Sequence, residues 1–117
     1  MTMRVRVEGV AALGEGQART FAYTQDGELR EGFVLRLGGR LRAYRNRCPH
    51  LGVDLDMGTG EFYSARLGRI YCRTHGATFE PATGVCDAGP CLGLGLERFD
   101  VIEEGADAVV EVGGDSA

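Results

Sequence analysis

Two short stretches determine the interpretation of this sequence: CPHLG at residues 48–52 and CRTHGA at residues 72–77. Together they contain both histidines and two of the four cysteines of the 117-residue chain. Each stretch offers one thiolate and one imidazole, and the neighbouring proline and glycines indicate tight turns. Two such turns that face each other would form a four-ligand metal site of two cysteines and two histidines.

The order of these ligands along the chain favours one kind of metal centre. A zinc finger with the same ligand types groups its cysteines on a hairpin and its histidines on a helix, whereas here cysteine and histidine alternate. Alternation suits two metal ions, with Cys48 and Cys72 on one iron of a [2Fe-2S] cluster and His50 and His75 on the other. A zinc-binding interaction module that uses the same four residues remains the alternative of a different functional class.

The two stretches resemble the two cluster-binding boxes of the Rieske family. The resemblance extends from Asn46 to Leu94 and includes Gly89-Pro90, where the family has a proline-bearing loop that covers the cluster. It implies one [2Fe-2S] cluster per chain, with the two cysteines and two histidines of the boxes as its ligands.

Short alternating segments separated by turn signals predict an all-β fold. Hairpin turns are expected at Asp26-Gly27 and Gly38-Gly39, and a last one around Gly105. Residues 54–64 show no sustained period and are predicted to be loop. The length predicts a single domain, residues 1–117. The resemblance implies Rieske-like antiparallel sheets that carry a small cluster-binding subdomain at about residues 46–92.

Charge and hydropathy limit the functional classes. The formal net charge is −4, and it is divided unevenly: residues 1–50 hold nine arginines and five acids, whereas residues 51–117 hold four arginines and twelve acids. This asymmetry indicates either an ordinary solvated surface or an acidic face that steers docking to a basic partner. A negative chain without tryptophan or a basic stripe argues against nucleic acid. No apolar run is long enough for a signal peptide or a membrane span, so we expect a soluble, cytoplasmic protein.

Three positions differ from the high-potential branch of the family. Val53 and Thr74 stand where that branch has a bridging pair of cysteines, and Ala77 stands where it has a hydroxyl that donates to a cluster sulfide. Fewer hydrogen bonds to sulfur stabilise the reduced cluster less. The resemblance therefore implies a low-potential Rieske centre.

Cys86 and Cys91 are the two cysteines outside the boxes. Their spacing permits a small disulfide, but in a cytoplasmic protein reduced, buried thiols are the expectation. We do not assign them as iron ligands, because the boxes already supply four.

The resemblance implies a ferredoxin, an electron carrier that takes one electron from a reductase and delivers it to a terminal oxygenase. The small subunit of an assimilatory nitrite reductase is a related alternative, which the complete ligand set disfavours. No catalytic residue is predicted, because a mononuclear iron site needs two further histidines and the chain has only two in all.

Overall fold

A computed structural model describes residues 3–49, 52–74 and 76–112. His50 and His75, the two predicted imidazole ligands, lie outside the described residues. The cysteine half of the predicted ligand set is described in full.

The described residues form ten antiparallel strands in two sheets. The strands of the larger sheet are β1 (Met3–Val7), β2 (Ala18–Gln25), β3 (Glu28–Leu37), β4 (Arg40–Arg45), β9 (Arg98–Glu104) and β10 (Asp107–Val112). Those of the smaller sheet are β5 (Tyr63–Ser64), β6 (Arg69–Tyr71), β7 (Thr78–Phe79) and β8 (Cys86–Ala88). The larger sheet has the order β1-β10-β9-β4-β3-β2 and the smaller β5-β6-β7-β8. The all-β prediction is confirmed, and no helix in the described ranges is long and apolar enough to cross a membrane.

The predicted hairpins are confirmed by the backbone angles at their turns. Asp26 and Gly27 both have positive φ, 53° and 74°, and join β2 to β3. Gly38 and Gly39 do the same between β3 and β4, with φ of 61° and 78°. Two successive left-handed residues make the turn whose twist matches that of the flanking strands, so these sequences fix the register of the larger sheet.

One hydrophobic core lies on the inner face of the larger sheet. Phe21 and Tyr23 of β2 both pack against Phe99 of β9, with ring centroids 6.4 and 5.7 Å apart. Strands β2 and β9 are not neighbours in the sheet. Their contact therefore shows that the sheet curves strongly around this core.

Strand β3 joins this core to a second one beneath the smaller sheet. Val34 packs into the first core, whereas Phe33 and Leu35 point into the second, and all three are fully buried. Phe33 stacks on Phe62, with centroids 3.9 Å apart and planes 11° apart. This stack fixes the segment that leads into the smaller sheet against the larger one.

Two short elements were not predicted. Residues 54–62 are turns and irregular chain as expected, but Tyr63–Ser64 form the edge strand β5, paired with Ile70 and Arg69. A two-residue strand has no period to read in a sequence. The 3-10 turn at Val10–Ala12 was missed for the same reason.

Candidate metal centre

The first predicted metal-binding turn closes on itself through two backbone hydrogen bonds. The N–H of Cys48 donates to the carbonyl oxygen of Val53 (2.7 Å), and the N–H of Gly52 donates to the carbonyl oxygen of Cys48 (2.8 Å). Gly52 has a φ of 71°, a left-handed conformation that glycine adopts without steric cost. The proline and glycine of CPHLG therefore mark a turn, as predicted.

The second turn repeats these bonds. The N–H of Cys72 donates to the carbonyl oxygen of Ala77 (2.8 Å), and the N–H of Gly76 donates to that of Cys72 (2.9 Å). Gly76 also has a φ of 71°. Both cysteines therefore occupy the first position of a turn that has the same pattern of backbone hydrogen bonds.

The two cysteines that begin these turns are buried in the same hydrophobic core. Cys48 and Cys72 are both 0 % exposed, and neither takes part in a disulfide. A polarisable thiolate shielded from water is the ligand that iron-sulfur clusters use. This donor pair fits the thiolate half of a [2Fe-2S] site.

The loop at residues 89–93, which follows β8 and is called the covering loop here, closes against the second turn. Gly89 has a φ of 103°, and a Cβ atom built on it would lie 2.7 Å from the Cα of Ala77. Only glycine permits such an approach of two backbones. Pro90, which follows, is exposed, so the close contact with the turn is made by Gly89.

Of the remaining two thiols, Cys86 begins β8 and Cys91 lies in the covering loop. Cys86 and Cys91 are buried, and their Sγ atoms are 2.9 Å apart, with Cys91 as the donor. Burial and the contact with Cys86 raise the pKa of the Cys91 thiol to about 12. Cys91 is buried in the same hydrophobic core as Cys48.

The buried polar residue Asn46 holds the segment after the first turn in place. Its Oδ1 accepts from the N–H of Leu55 (2.8 Å), and its Nδ2 donates to carboxylate oxygens of Asp56 (3.1 Å) and Glu31 (2.7 Å). Asn46 is only 3 % exposed. The sequence alone indicates no role for Asn46, because its partners Glu31, Leu55 and Asp56 are not its neighbours in the chain.

The same segment also holds the second turn. The N–H of Arg73 donates to the carbonyl oxygen of Leu55 (3.0 Å), and its guanidinium donates to Glu61 and lies over the ring of Tyr71. Residues 54–62 therefore bridge the two turns. Because these residues show no hydrophobic periodicity, the sequence did not predict that they contact both turns.

The positions that carry the extra cysteines in the high-potential branch have other partners here. Val53 is half-buried and packs against the core. Thr74 is exposed, and its hydroxyl donates to the sulfur of Met57 (3.1 Å). Neither side chain can form a bridge between the turns.

A third turn has the same backbone form but no metal ligand. The N–H of Glu80 donates to the carbonyl oxygen of Val85 (2.9 Å), and that of Gly84 donates to Glu80 (2.7 Å), with Gly84 at a φ of 77°. The hydroxyl of the buried Tyr44 donates to the carbonyl oxygen of Pro81 in this turn. Tyr44 thus supports the third turn.

Comparison with known proteins supports the metal-centre interpretation. A family profile described as "Rieske [2Fe-2S] domain" matches residues 4–100, which include both turns. The ferredoxin of carbazole 1,9a-dioxygenase from Nocardioides aromaticivorans IC177 is 32 % identical, with a TM-score of 0.72, over 94 % of this chain and 98 % of that one.

Two other similar proteins support more limited conclusions. A chain from a complex of reduced oxygenase and oxidised ferredoxin in carbazole 1,9a-dioxygenase is 23 % identical with a TM-score of 0.73, over 97 % of both chains, and shows the fold alone. The oxidoreductase NdmD of Pseudomonas putida is 34 % identical over 73 residues. That match covers 56 % of this chain and 12 % of NdmD, so it says nothing about the rest of that larger protein.

Proposed function

Because the chain belongs to the Rieske [2Fe-2S] domain family, we propose that it is a ferredoxin that carries single electrons from a reductase to a terminal oxygenase. The observation that carries this proposal is the match to the carbazole 1,9a-dioxygenase ferredoxin, which is 32 % identical and extends over nearly the whole of both chains. A match of this extent relates one small protein to another, whereas the match to NdmD relates this chain to a fraction of a larger protein.

We assign four ligands to the cluster: Cys48 and Cys72 to one iron, and His50 and His75 to the other. When bound, a [2Fe-2S] cluster supplies reversible one-electron transfer, with the histidine-ligated iron accepting the electron more readily than an all-cysteine centre. The two buried thiols and their matched turns support the cysteine half of this assignment. The histidine half rests on the sequence of the two boxes.

The division of the chain follows from the same assignment. We propose a single Rieske domain over residues 1–117, with a cluster-binding subdomain at about residues 46–92. The smaller sheet, the two turns and the covering loop all fall in this range. The larger sheet would then be a rigid base that positions the subdomain through the Phe33–Phe62 stack.

Exposed apolar side chains support docking at the cluster end of the molecule. Met57, beside Thr74 of the second turn, is 60 % exposed, and Leu92, next to Cys91 in the covering loop, is 67 % exposed. Apolar groups left in water near a functional centre are typical of protein interaction surfaces. We propose that the reductase and the oxygenase meet this end in turn, in the cytoplasm.

The proposal is tested first by the metal content and the electron paramagnetic resonance spectrum of the dithionite-reduced protein. Two irons, two acid-labile sulfides and a rhombic signal with the low average g value of mixed histidine and cysteine ligation are expected. A zinc-loaded, silent protein would instead support the interaction module. Cys72→Ser should abolish the signal, whereas Cys86→Ser, which removes a buried thiol outside the assigned set, should retain it.

Electron delivery is then measured by combining the holoprotein with a flavin-dependent reductase and an aromatic-ring dioxygenase. Product formation should depend on the ferredoxin and saturate with its concentration. A holoprotein that the reductase reduces but that no oxygenase can reoxidise would contradict the proposed acceptor while leaving the cluster assignment intact.

A further inference from the structure

Two thiols lie beside the cluster-binding turns without being assigned to the cluster. Cys86 is 2 % exposed and Cys91 is 1 % exposed, and their Sγ atoms are 2.9 Å apart. A disulfide bond is about 2.05 Å long, so a movement of less than about 1 Å brings the two sulfurs to bonding distance.

The backbone already holds the two cysteines at the ends of a closed loop. The N–H of Cys86 donates to the carbonyl oxygen of Leu94 (2.7 Å), and the N–H of Gly93 donates to the carbonyl oxygen of Cys86 (3.3 Å). The N–H of Leu94 donates in turn to the carbonyl oxygen of Cys91 (2.9 Å). Because these bonds already order both flanks, a cross-link between the side chains would require little further ordering of the loop.

We propose that Cys86 and Cys91 form a reversible disulfide that locks the covering loop over the cluster-binding turns. In this step the two S–H bonds break and one S–S bond forms, so the pair loses two electrons and two protons. A small-molecule disulfide such as oxidised glutathione accepts both and leaves as two thiols. The exposed residues between the cysteines give the oxidant access when the loop opens, and burial makes the exchange slow when it is closed.

The disulfide would affect the metal site because the covering loop packs against the two turns. Gly89, between the two cysteines, lies against the backbone of Ala77 in the second turn, and Cys91 is buried in the same hydrophobic core as Cys48 and Cys72. A cross-link from residue 86 to residue 91 therefore restrains the segment that covers both thiolate ligands. Loop opening becomes rarer, and water and chelators reach the cluster less often.

The disulfide is tested by counting thiols in the holoprotein. The protein is equilibrated without oxygen in glutathione buffers of graded oxidised-to-reduced ratio, then denatured, alkylated and weighed by mass spectrometry, with iron measured on the same samples. Four alkylated cysteines are expected at the reducing end and two at the oxidising end, with unchanged iron. Cys86→Ser and Cys91→Ser should each show three at the reducing end and no internal disulfide at either end, and any cysteine that escapes alkylation at the oxidising end should carry the added mass of one glutathione.

Peptide mapping then identifies the bonded pair. A bond between Cys86 and Cys91 supports the proposal. Four alkylated cysteines at every ratio, or a bond that involves Cys48 or Cys72, would overturn it.

The locking role has a separate readout, the loss of the visible absorbance of the cluster in the presence of an iron chelator. The oxidised holoprotein should lose its cluster several-fold more slowly than the reduced one. A Cys86→Ser/Cys91→Ser double variant should lose it at one rate in both buffers. Equal rates for the oxidised and reduced wild type would overturn the locking role. None of these measurements uses a redox partner, so their failure leaves the proposed electron delivery untouched.

Discussion

Gly52 and Gly76 occupy the same place in the two turns proposed to bind metal: each has a φ of 71°, and each donates its N–H to the carbonyl oxygen of the cysteine four residues earlier. A side chain at either position would be held in a left-handed conformation that costs about 1–3 kcal/mol. The matched angles and hydrogen bonds mean that the two thiolates are presented by the same backbone geometry, and that glycine is needed in both turns.

The first prediction separates backbone strain from its effect on the metal centre. Gly76→Ala meets no atom within 4 Å, so it adds strain without a clash and should lower the free energy of unfolding by about 1–2 kcal/mol. Because the strain falls on the turn that begins with Cys72, iron occupancy should fall as well. Denaturant unfolding and iron analysis of the same samples measure the two effects.

Gly68→Ala is the matched control for this prediction. Gly68 has a φ of 66° and its added Cβ also meets nothing within 4 Å, but it lies in the turn between β5 and β6, outside both metal-binding turns and the segment that bridges them. It should lose similar stability and keep its iron. Equal loss of iron in both variants would contradict a specific role of the second turn.

The second prediction concerns the contact between the covering loop and the second turn. In Gly89→Ala the new methyl group would lie 2.7 Å from the Cα of Ala77, a backbone atom that cannot move aside alone. We expect the loop to be displaced, the free energy of unfolding to fall by more than about 2 kcal/mol, and the cluster to be lost faster to a chelator.

Gly93→Ala tests whether that effect comes from the contact. Gly93 lies in the same loop with a φ of 91°, and its added Cβ meets nothing within 4 Å. The Gly93→Ala variant has the backbone strain but no steric clash, so it should lose its cluster at close to the wild-type rate. A Gly93→Ala variant as unstable to chelators as Gly89→Ala would assign the effect to loop strain.

The third prediction tests the buried amide of Asn46. Asn46→Ala leaves the N–H of Leu55 and the carboxylate of the buried Asp56 without this partner, a loss of about 1–3 kcal/mol in unfolding free energy. Asn46→Asp should be worse, because it adds a third carboxylate beside Glu31 and Asp56. Urea unfolding of the holoproteins gives both values, and an Asn46→Asp variant more stable than Asn46→Ala would show that charge repulsion is not decisive here.

Sequence patterns predicted the parts of this structure that depend on local chemistry. The hairpin at Asp26-Gly27 and the turn at Gly76 follow from the conformational freedom of the residues that form them. The third turn, which ends at Gly84, shows the limit of that reasoning, because it has the same backbone form without a ligand. The glycines predicted where the chain turns, whereas only the cysteines and histidines predicted metal binding.

The parts that could not be predicted depend on contacts between residues far apart in the chain. Asn46 is 15 residues from Glu31, and its role appears only when β3 and the segment after the first turn meet. The stack of Phe33 on Phe62 also depends on that meeting. Residues 54–64 were predicted to be loop, which is correct up to Phe62, but no local pattern indicates that this loop joins the two proposed metal-binding turns.

The fourth prediction is a pH dependence that originates at Asp87. A hydrogen bond from the Thr78 hydroxyl, and a second from Arg69, lower the pKa of the Asp87 carboxyl below its usual range. Since the folded pKa lies below the unfolded one, the carboxylate stabilises the fold above the unfolded pKa, and this contribution is lost as the pH falls through the folded pKa.

Asp87→Asn should therefore lower the urea midpoint at neutral pH, and the difference from wild type should shrink as the solution is acidified. Asp87 is solvent-exposed, so the effect is small. Thr78→Val removes the first donor and should raise the pKa of Asp87, which moves the loss of stability to higher pH. A constant difference between wild type and Asp87→Asn at all pH values would contradict this account.

The last prediction concerns the reduction potential of the cluster. Rieske centres span about −150 to +300 mV, and hydrogen bonds to the cluster sulfurs raise the potential because they stabilise the reduced, more negative state. Ala77 offers no hydroxyl, and Val53 and Thr74 cannot bridge the turns. We therefore expect a midpoint near the low end of that range, measured by a redox titration followed by electron paramagnetic resonance. Ala77→Ser should shift the midpoint upward by tens of millivolts, whereas Ala88→Ser, at an exposed position of β8, should leave it unchanged. A wild-type midpoint near the upper end would mean that other donors to the sulfurs compensate for the missing hydroxyl.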